Sequence, residues 1–267
     1  MKQWYKLLVI ISVLMVIVLL STSCSGDLIP KVLANDTQGL VEQVKHSNED
    51  VFKDIQDNIN MVVDLQTKVE QAKIDGEEVS LKDVIKDIKK ITESYEDLSS
   101  RRANVESYFL RKIKHVEQIR GTVENEIAIL NKRKATYIDQ MNTLSSPSSE
   151  INRTRRKSLT KAVEYVDDQI ALWVQFNGVE SDITKEMSNI QERIDLFLSV
   201  IESSAILFRE GLNLLELQQN INEALAIFTT DIPRMEQLTQ QMENSWDNLD
   251  YLVNALTSID PVTEAVN

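Results

Sequence analysis

Residues 80–144 read SLKDVIKDIKKITESYEDLSSRRANVESYFLRKIKHVEQIRGTVENEIAILNKRKATYIDQMNTL. Apolar residues recur here at alternating spacings of three and four. They run Leu81, Val84, Ile88, Ile91, Tyr95, Leu98, Val105, Phe109, Ile113, Val116, Val123, Ile127, Leu130, Tyr137, Met141 and Leu144. That period is the heptad seam of a helix packed on other helices. Arg102, Arg120 and Lys134 also fall on the seam, where long basic side chains can lay their stems along apolar surface and keep their charge in water. No proline interrupts the run, and Ser80 with Asp83 opens it in the manner of a capping box. The stretch is read as a single helix, about 95 Å long at 1.5 Å per residue.

The same reading extends in both directions. Upstream, positions 40, 44, 47, 51, 55, 58, 62, 65, 69 and 72 form a seam, with Ser47 and Asn58 as polar lapses. Asn35 or Asp36 is the expected N-cap of this first helix, 36–74, and Asp75-Gly76 its stop. Downstream, Ser145-Ser146-Pro147-Ser148-Ser149 is a turn. A third helix follows over 150–228, with Gly178 and Gly211 as the places open to a bend or break. Asp231 or Thr230, with Pro233 in the first turn, opens a fourth helix over 232–258. No stretch alternates with period two for long enough to be a strand. The expected fold is all-α, an elongated antiparallel bundle of three to four long coiled-coil-like helices over residues 35–260, with a tail at 261–267. Helices one and four are expected end to end along the second.

Composition narrows the function. Six Gly and four Pro in 267 residues exclude a loop-rich β fold. One Cys leaves no internal disulfide framework and no thiolate zinc site. Two histidines, 69 positions apart, do not suggest a metal cage. A net charge of −13 argues against nucleic acid as the main partner.

The N-terminus is distinctive. Lys2 and Lys6 precede an apolar run, Leu7 to Leu20, in which Ser12 is the one polar residue; Ser21, Thr22, Ser23 and Cys24 follow. A basic head, an apolar core and small residues before a cut describe a secretory signal peptide. Ending as it does on the chain's one Cys, residues 1–24 resemble the precursor of a bacterial lipoprotein. That class is cut before a Cys whose sulfur carries diacylglycerol. The usual box places Leu three residues before Cys; here Ser21 stands there and Leu20 lies one place further back. The resemblance implies a signal peptide at 1–23, lipid attachment at Cys24, and a lipidated tether over 24–34 outside the cytoplasm. Two other readings stay open: an uncut anchor over Trp4–Thr22, and release by an ordinary signal peptidase.

Charge is uneven along the chain. Residues 101–161 carry 14 basic and 6 acidic residues, whereas 162–267 carry 4 and 19. The basic excess gathers about the Pro147 turn: Lys132, Arg133 and Lys134 before it, Arg153, Arg155, Arg156 and Lys157 after it. One reading is a tip that binds anionic polymer or lipid headgroups. The other is a set of cations facing the acidic helices. If the first helix leads away from a membrane, the second returns and the tip faces the bilayer, where each basic residue gains about 1 kcal/mol.

Catalytic signatures are missing: no Gly-rich phosphate loop, HExxH pair or GxSxG elbow is present. No Glu has a His three residues later, as di-iron bundles require. His46, His115, Asp167-Asp168, Asp247 and Asp250 read as solvated helix faces, and Trp173, Phe176 and Trp246 as core. No enzyme activity, cofactor or metal is expected. The expected role is a membrane-anchored scaffold, spacer or partner-binding rod of the cell envelope, self-associating or binding a protein partner through its helical faces. The alternatives are an α-helical pore-forming toxin-like protein, with 196–228 as the insertion element, and a helical ligand sensor.

Overall fold

The computed structural model describes residues 29–76, 80–144, 150–218, 226–227 and 229–259. Four long helices make up nearly all of it: α1 (Ile29–Asp75), α2 (Leu81–Thr143), α3 (Glu150–Gln218) and α4 (Ile232–Thr257). They pack on one another, and no strand occurs among the described residues, so the fold is an all-α helical bundle. The stretch 1–28, which holds Cys24, the Pro147 turn, residues 219–225 and the tail from 260 lie outside the described residues.

Local chemistry accounts for three of the helix ends. Gly76 closes α1 with φ of 69°, the left-handed conformation that a side chain resists. The Ser80 carbonyl accepts from the Asp83 and Val84 amides and so starts α2. The Asp231 carbonyl accepts from the Met235 amide at 3.0 Å, and Pro233 fits the first turn of α4, where no amide partner is needed.

The structure corrects four expectations. First, α1 begins at Ile29 rather than at 36, so residues 29–34 are helix and not tether. Pro30 is harmless in a first turn, and Leu33 and Ala34 are buried. Asn35 and Asp36 lie exposed inside the helix instead of capping it. Second, α3 runs unbroken through Gly178 and Gly211. A helix interior glycine costs about 1 kcal/mol, less than the packing of the buried seam on either side supplies. Third, Asn48 rather than Ser47 faces the core. A straight helix of 3.6 residues per turn drifts off a strict heptad, and Asn48 satisfies its amide on the Val44 carbonyl at 2.7 Å. Fourth, α4 lies beside α1, not beyond its end: Lys45 pairs with Asp250 at 2.5 Å, and the Phe52 and Trp246 rings meet edge to face.

The chain divides into two compact units. The larger comprises residues 39–117 and 182–252. In it, Arg101 meets Asp54 while Lys68 meets Asp87, so α1 and α2 are antiparallel. Arg102 meets Asp195 while Arg209 meets Glu96, which makes α2 and α3 antiparallel. Arg193 donates to the Gln241 carbonyl while Ser204 donates to Asp231, which does the same for α3 and α4. All four helices contribute to one core, with Tyr95, Phe109, Phe197, Phe208, Ile55 and Met187 almost wholly buried.

The smaller unit comprises 29–38, 118–181 and 253–259 of the described residues. Its core holds Leu33 of α1, Val123 and Leu130 of α2, Val166, Trp173 and Phe176 of α3, and Leu256 of α4. Toward the α2–α3 connection that core ends. No residue of α2 from 131 to 143, and none of α3 from 150 to 165, is buried.

Candidate functional site

The seven basic residues singled out in the sequence fall into two groups. Lys134 bonds Asp167 at 2.6 Å, and Met141 is met by Arg156 and by Thr160. These contacts set the pairing of α2 with α3. Arg153, Arg155, Arg156 and Lys157 lie level with the C-terminal end of α2. Lys132, Arg133 and Lys134 lie level with residues near 167, about 15 Å further along α3. The sequence placed both groups within a few turns of one tip; along the α2–α3 pair they lie as a cluster of four and a band of three about 15 Å apart.

Their surroundings differ too. Lys134 is half-buried and paired with Asp167 of α3. The other six are exposed. Among the described residues, none of the six has a carboxylate within ion-pair distance. Arg156 reaches only the Met141 carbonyl, at 3.4 Å. The other two seam cations find carboxylates: Arg102 holds Asp195 and Glu202, and Arg120 holds Glu124.

One feature escaped the sequence reading. Glu180 of α3 is fully buried, and Thr37 of α1, also fully buried, donates its hydroxyl to Glu180 Oε1 at 2.5 Å. Burial pushes this carboxyl up to about 7, opposed by the Thr37 hydrogen bond and the charge of Arg120. The signal was present: Trp173, Phe176, Glu180, Ile183 and Met187 continue the three-four spacing, with Glu180 on a core position. Such a group can take up a proton near neutrality, which changes the smaller unit's stability with pH.

Other candidates behave as helix faces or core. His46 is exposed and hydrogen-bonds Glu49 at 3.1 Å; His115 is exposed. Asp167 and Asp250 are ion-pair partners of Lys134 and Lys45. Trp173, Phe176 and Trp246 are buried. Among the described residues no group of three or more His, Cys, Asp or Glu could hold a metal ion. An open groove of about 720 Å³ lies at the end of the α1–α2 pair, lined by Leu65, Lys68, Asp75, Asp83 and Asp87 among others. Of the stretch 196–228, the insertion element of the pore-forming alternative, Phe197, Leu198, Val200, Ile201, Ala205 and Phe208 are buried in the larger unit. No described helix is long and apolar enough to cross a membrane.

Comparison with protein-family models, with curated proteins and with solved structures yields no match.

Proposed function

We propose that this chain is a membrane-anchored, extracytoplasmic helical lipoprotein that serves as a scaffold, spacer or partner-binding rod in the cell envelope. The observation that carries the reading is the N-terminal sequence, in which a Lys2/Lys6 head, the apolar run Leu7–Leu20 and the residues Ser21-Thr22-Ser23 lead to the chain's one Cys, Cys24. Long helices of 47, 63 and 69 residues suit a part whose work is reach and surface. A class of lipid anchor carrying two or more acyl chains holds a protein stably on a bilayer, whereas one chain does so only marginally. The mechanism is then mechanical and electrostatic, with helical faces as the partner-binding surface.

The test is the intact mass of the protein from its native membrane fraction, beside Cys24→Ala. A mature chain that starts at Cys24 and carries diacylglycerol, lost in the variant, is the expected result. An unlipidated chain cut elsewhere, or the uncut chain, overturns the anchor.

A further inference from the structure

Helix α1 belongs to both units: residues 29–38 pack in the smaller one, and from Gly39 on the helix lies in the larger. The two parts are held differently. The part from Gly39 on buries a run of Val, Ile and Leu side chains between Val41 and Val69. The leading part buries Pro30, Leu33, Ala34 and Thr37, of which only Leu33 is a large aliphatic side chain. Glycine is a poor helix former, so α1 is also weakened at Gly39, where the two parts meet.

What ties the leading part down is largely polar. Thr37 and Glu180 are both fully buried, and their hydrogen bond joins α1 to α3. A carboxylic acid tolerates such a place, whereas a carboxylate there needs several donors or a close cation. The charged groups facing Glu180 are few. From α2, Arg120 offers its charge, but that half-buried guanidinium also holds Glu124 at 3.3 Å. From α1, Asp36 stands beside Thr37, an acid whose own carboxyl is raised by lost hydration. The α4 residues of this unit, 253–259, carry no charged or titratable side chain. Neither does any residue three or four positions from Glu180 on α3.

We infer that Thr37 and Glu180 form a proton-operated latch, which holds residues 29–38 on the smaller unit while Glu180 is protonated and loosens them when it ionises. The sign follows from the two states. Docked, the Glu180 carboxyl is pushed up to about 7; once the segment lifts and water enters, it returns toward its ordinary 4.5. The docked state therefore binds the proton more tightly, and docking weakens as pH rises through 7. The segment covers about 15 Å as helix and up to about 35 Å when extended. That gain in reach acts on an anchor at Cys24 and rests on that reading; the latch itself does not.

The test is hydrogen–deuterium exchange by mass spectrometry on the unlipidated chain from residue 24 with Cys24→Ser, which keeps every described residue. It is read as protection factors, which removes the intrinsic pH dependence of exchange. The reporters are the amides of 33–38, the first in α1 with a helical carbonyl four residues back. From pH 5 to 8 their protection should fall by roughly fifty- to a hundredfold. The α1 amides of the larger unit, 51–62, should change far less. Glu180→Gln, which keeps the shape without the charge, should hold the 33–38 protection high throughout. Thr37→Val, which removes the donor, should lower it, and more at pH 8 than at pH 5. Circular dichroism checks that each variant is folded. A wild-type profile without the fall, the same fall in Glu180→Gln, or no effect of Thr37→Val overturns the inference. So does a fall shared equally by the α2 and α3 amides at 118–130 and 166–181, because the smaller unit then loosens as a whole.

Discussion

The larger unit and the hairpin end of the smaller one use the same alphabet to opposite effect. In the larger unit four helices surround a core of aromatic and aliphatic side chains, and cations at its edge are tied to carboxylates on neighbouring helices. At the hairpin end two helices run beside each other with no buried residue and with cations turned to solvent. The difference is one of helix number. Four helices can enclose a seam, whereas two leave each seam residue half in water. A partly wet seam gains less from burial, at roughly 25 cal/mol per Å². Stability therefore resides where the helices are four deep, and the hairpin end is released to present charge.

The largest expected effect breaks the first region and spares the second. Phe208, packed against Tyr95 with ring centroids 4.9 Å apart, should cost about 3–5 kcal/mol when changed to Ala. Ile138→Ala, at a 37%-exposed site in the hairpin, should cost under about 1 kcal/mol. Urea denaturation of both variants checks the pair, and similar losses would mean the hairpin end carries core-like stability.

Next comes Glu180. Its carboxyl is pushed up to about 7 in the folded chain against an ordinary 4.5, so the folded state binds the proton more tightly. The sign follows: the contribution of Glu180 to stability is greatest below pH 4.5, falls as pH rises toward 7, and is level above that. Glu180→Gln should remove this slope and raise stability at pH 8 by about 2 kcal/mol. Thermal unfolding from pH 4 to 8 measures it. An unchanged slope would assign the pH dependence elsewhere.

A smaller contrast compares cations. Arg102→Ala, which removes the contacts to Asp195 and Glu202, should cost about 1 kcal/mol, less at high salt. Arg153→Ala should stay within about 0.5 kcal/mol of zero. Equal effects would show the tip cations to be structural. The smallest prediction sharpens the smaller unit: Gly178→Ala, where an added Cβ meets nothing within 4 Å, should stabilise by about 0.5–1 kcal/mol in thermal unfolding.

Much of this architecture is legible in the sequence. The seam at Leu81 to Leu130, the stop at Gly76 and the start at Pro233 are local signals, and the structure keeps them. What failed needed knowledge of neighbours. Asn35 and Asp36 look like caps until Leu33 and Ala34 are seen to have a core to enter. Which flank of α1 receives α4 is set by Lys45 with Asp250 and Phe52 with Trp246, pairs some 200 residues apart. For the candidate site, the sequence identified the basic residues, but their division into a cluster and a band came from the pairing of α2 with α3. Glu180 was missed because a lone acid in an acidic helix does not stand out until its surroundings are dry.

A pair of helices without buried residues is also an adjustable one. Adding or deleting one heptad in both helices, within 131–143 and 150–165, changes the pair's length by about 10 Å and keeps the register. No core residue is displaced by such a change. Insertion in one helix alone would offset Lys134 from Asp167. Descendants of this chain can thus vary in reach through matched duplications while the four-helix core stays as it is.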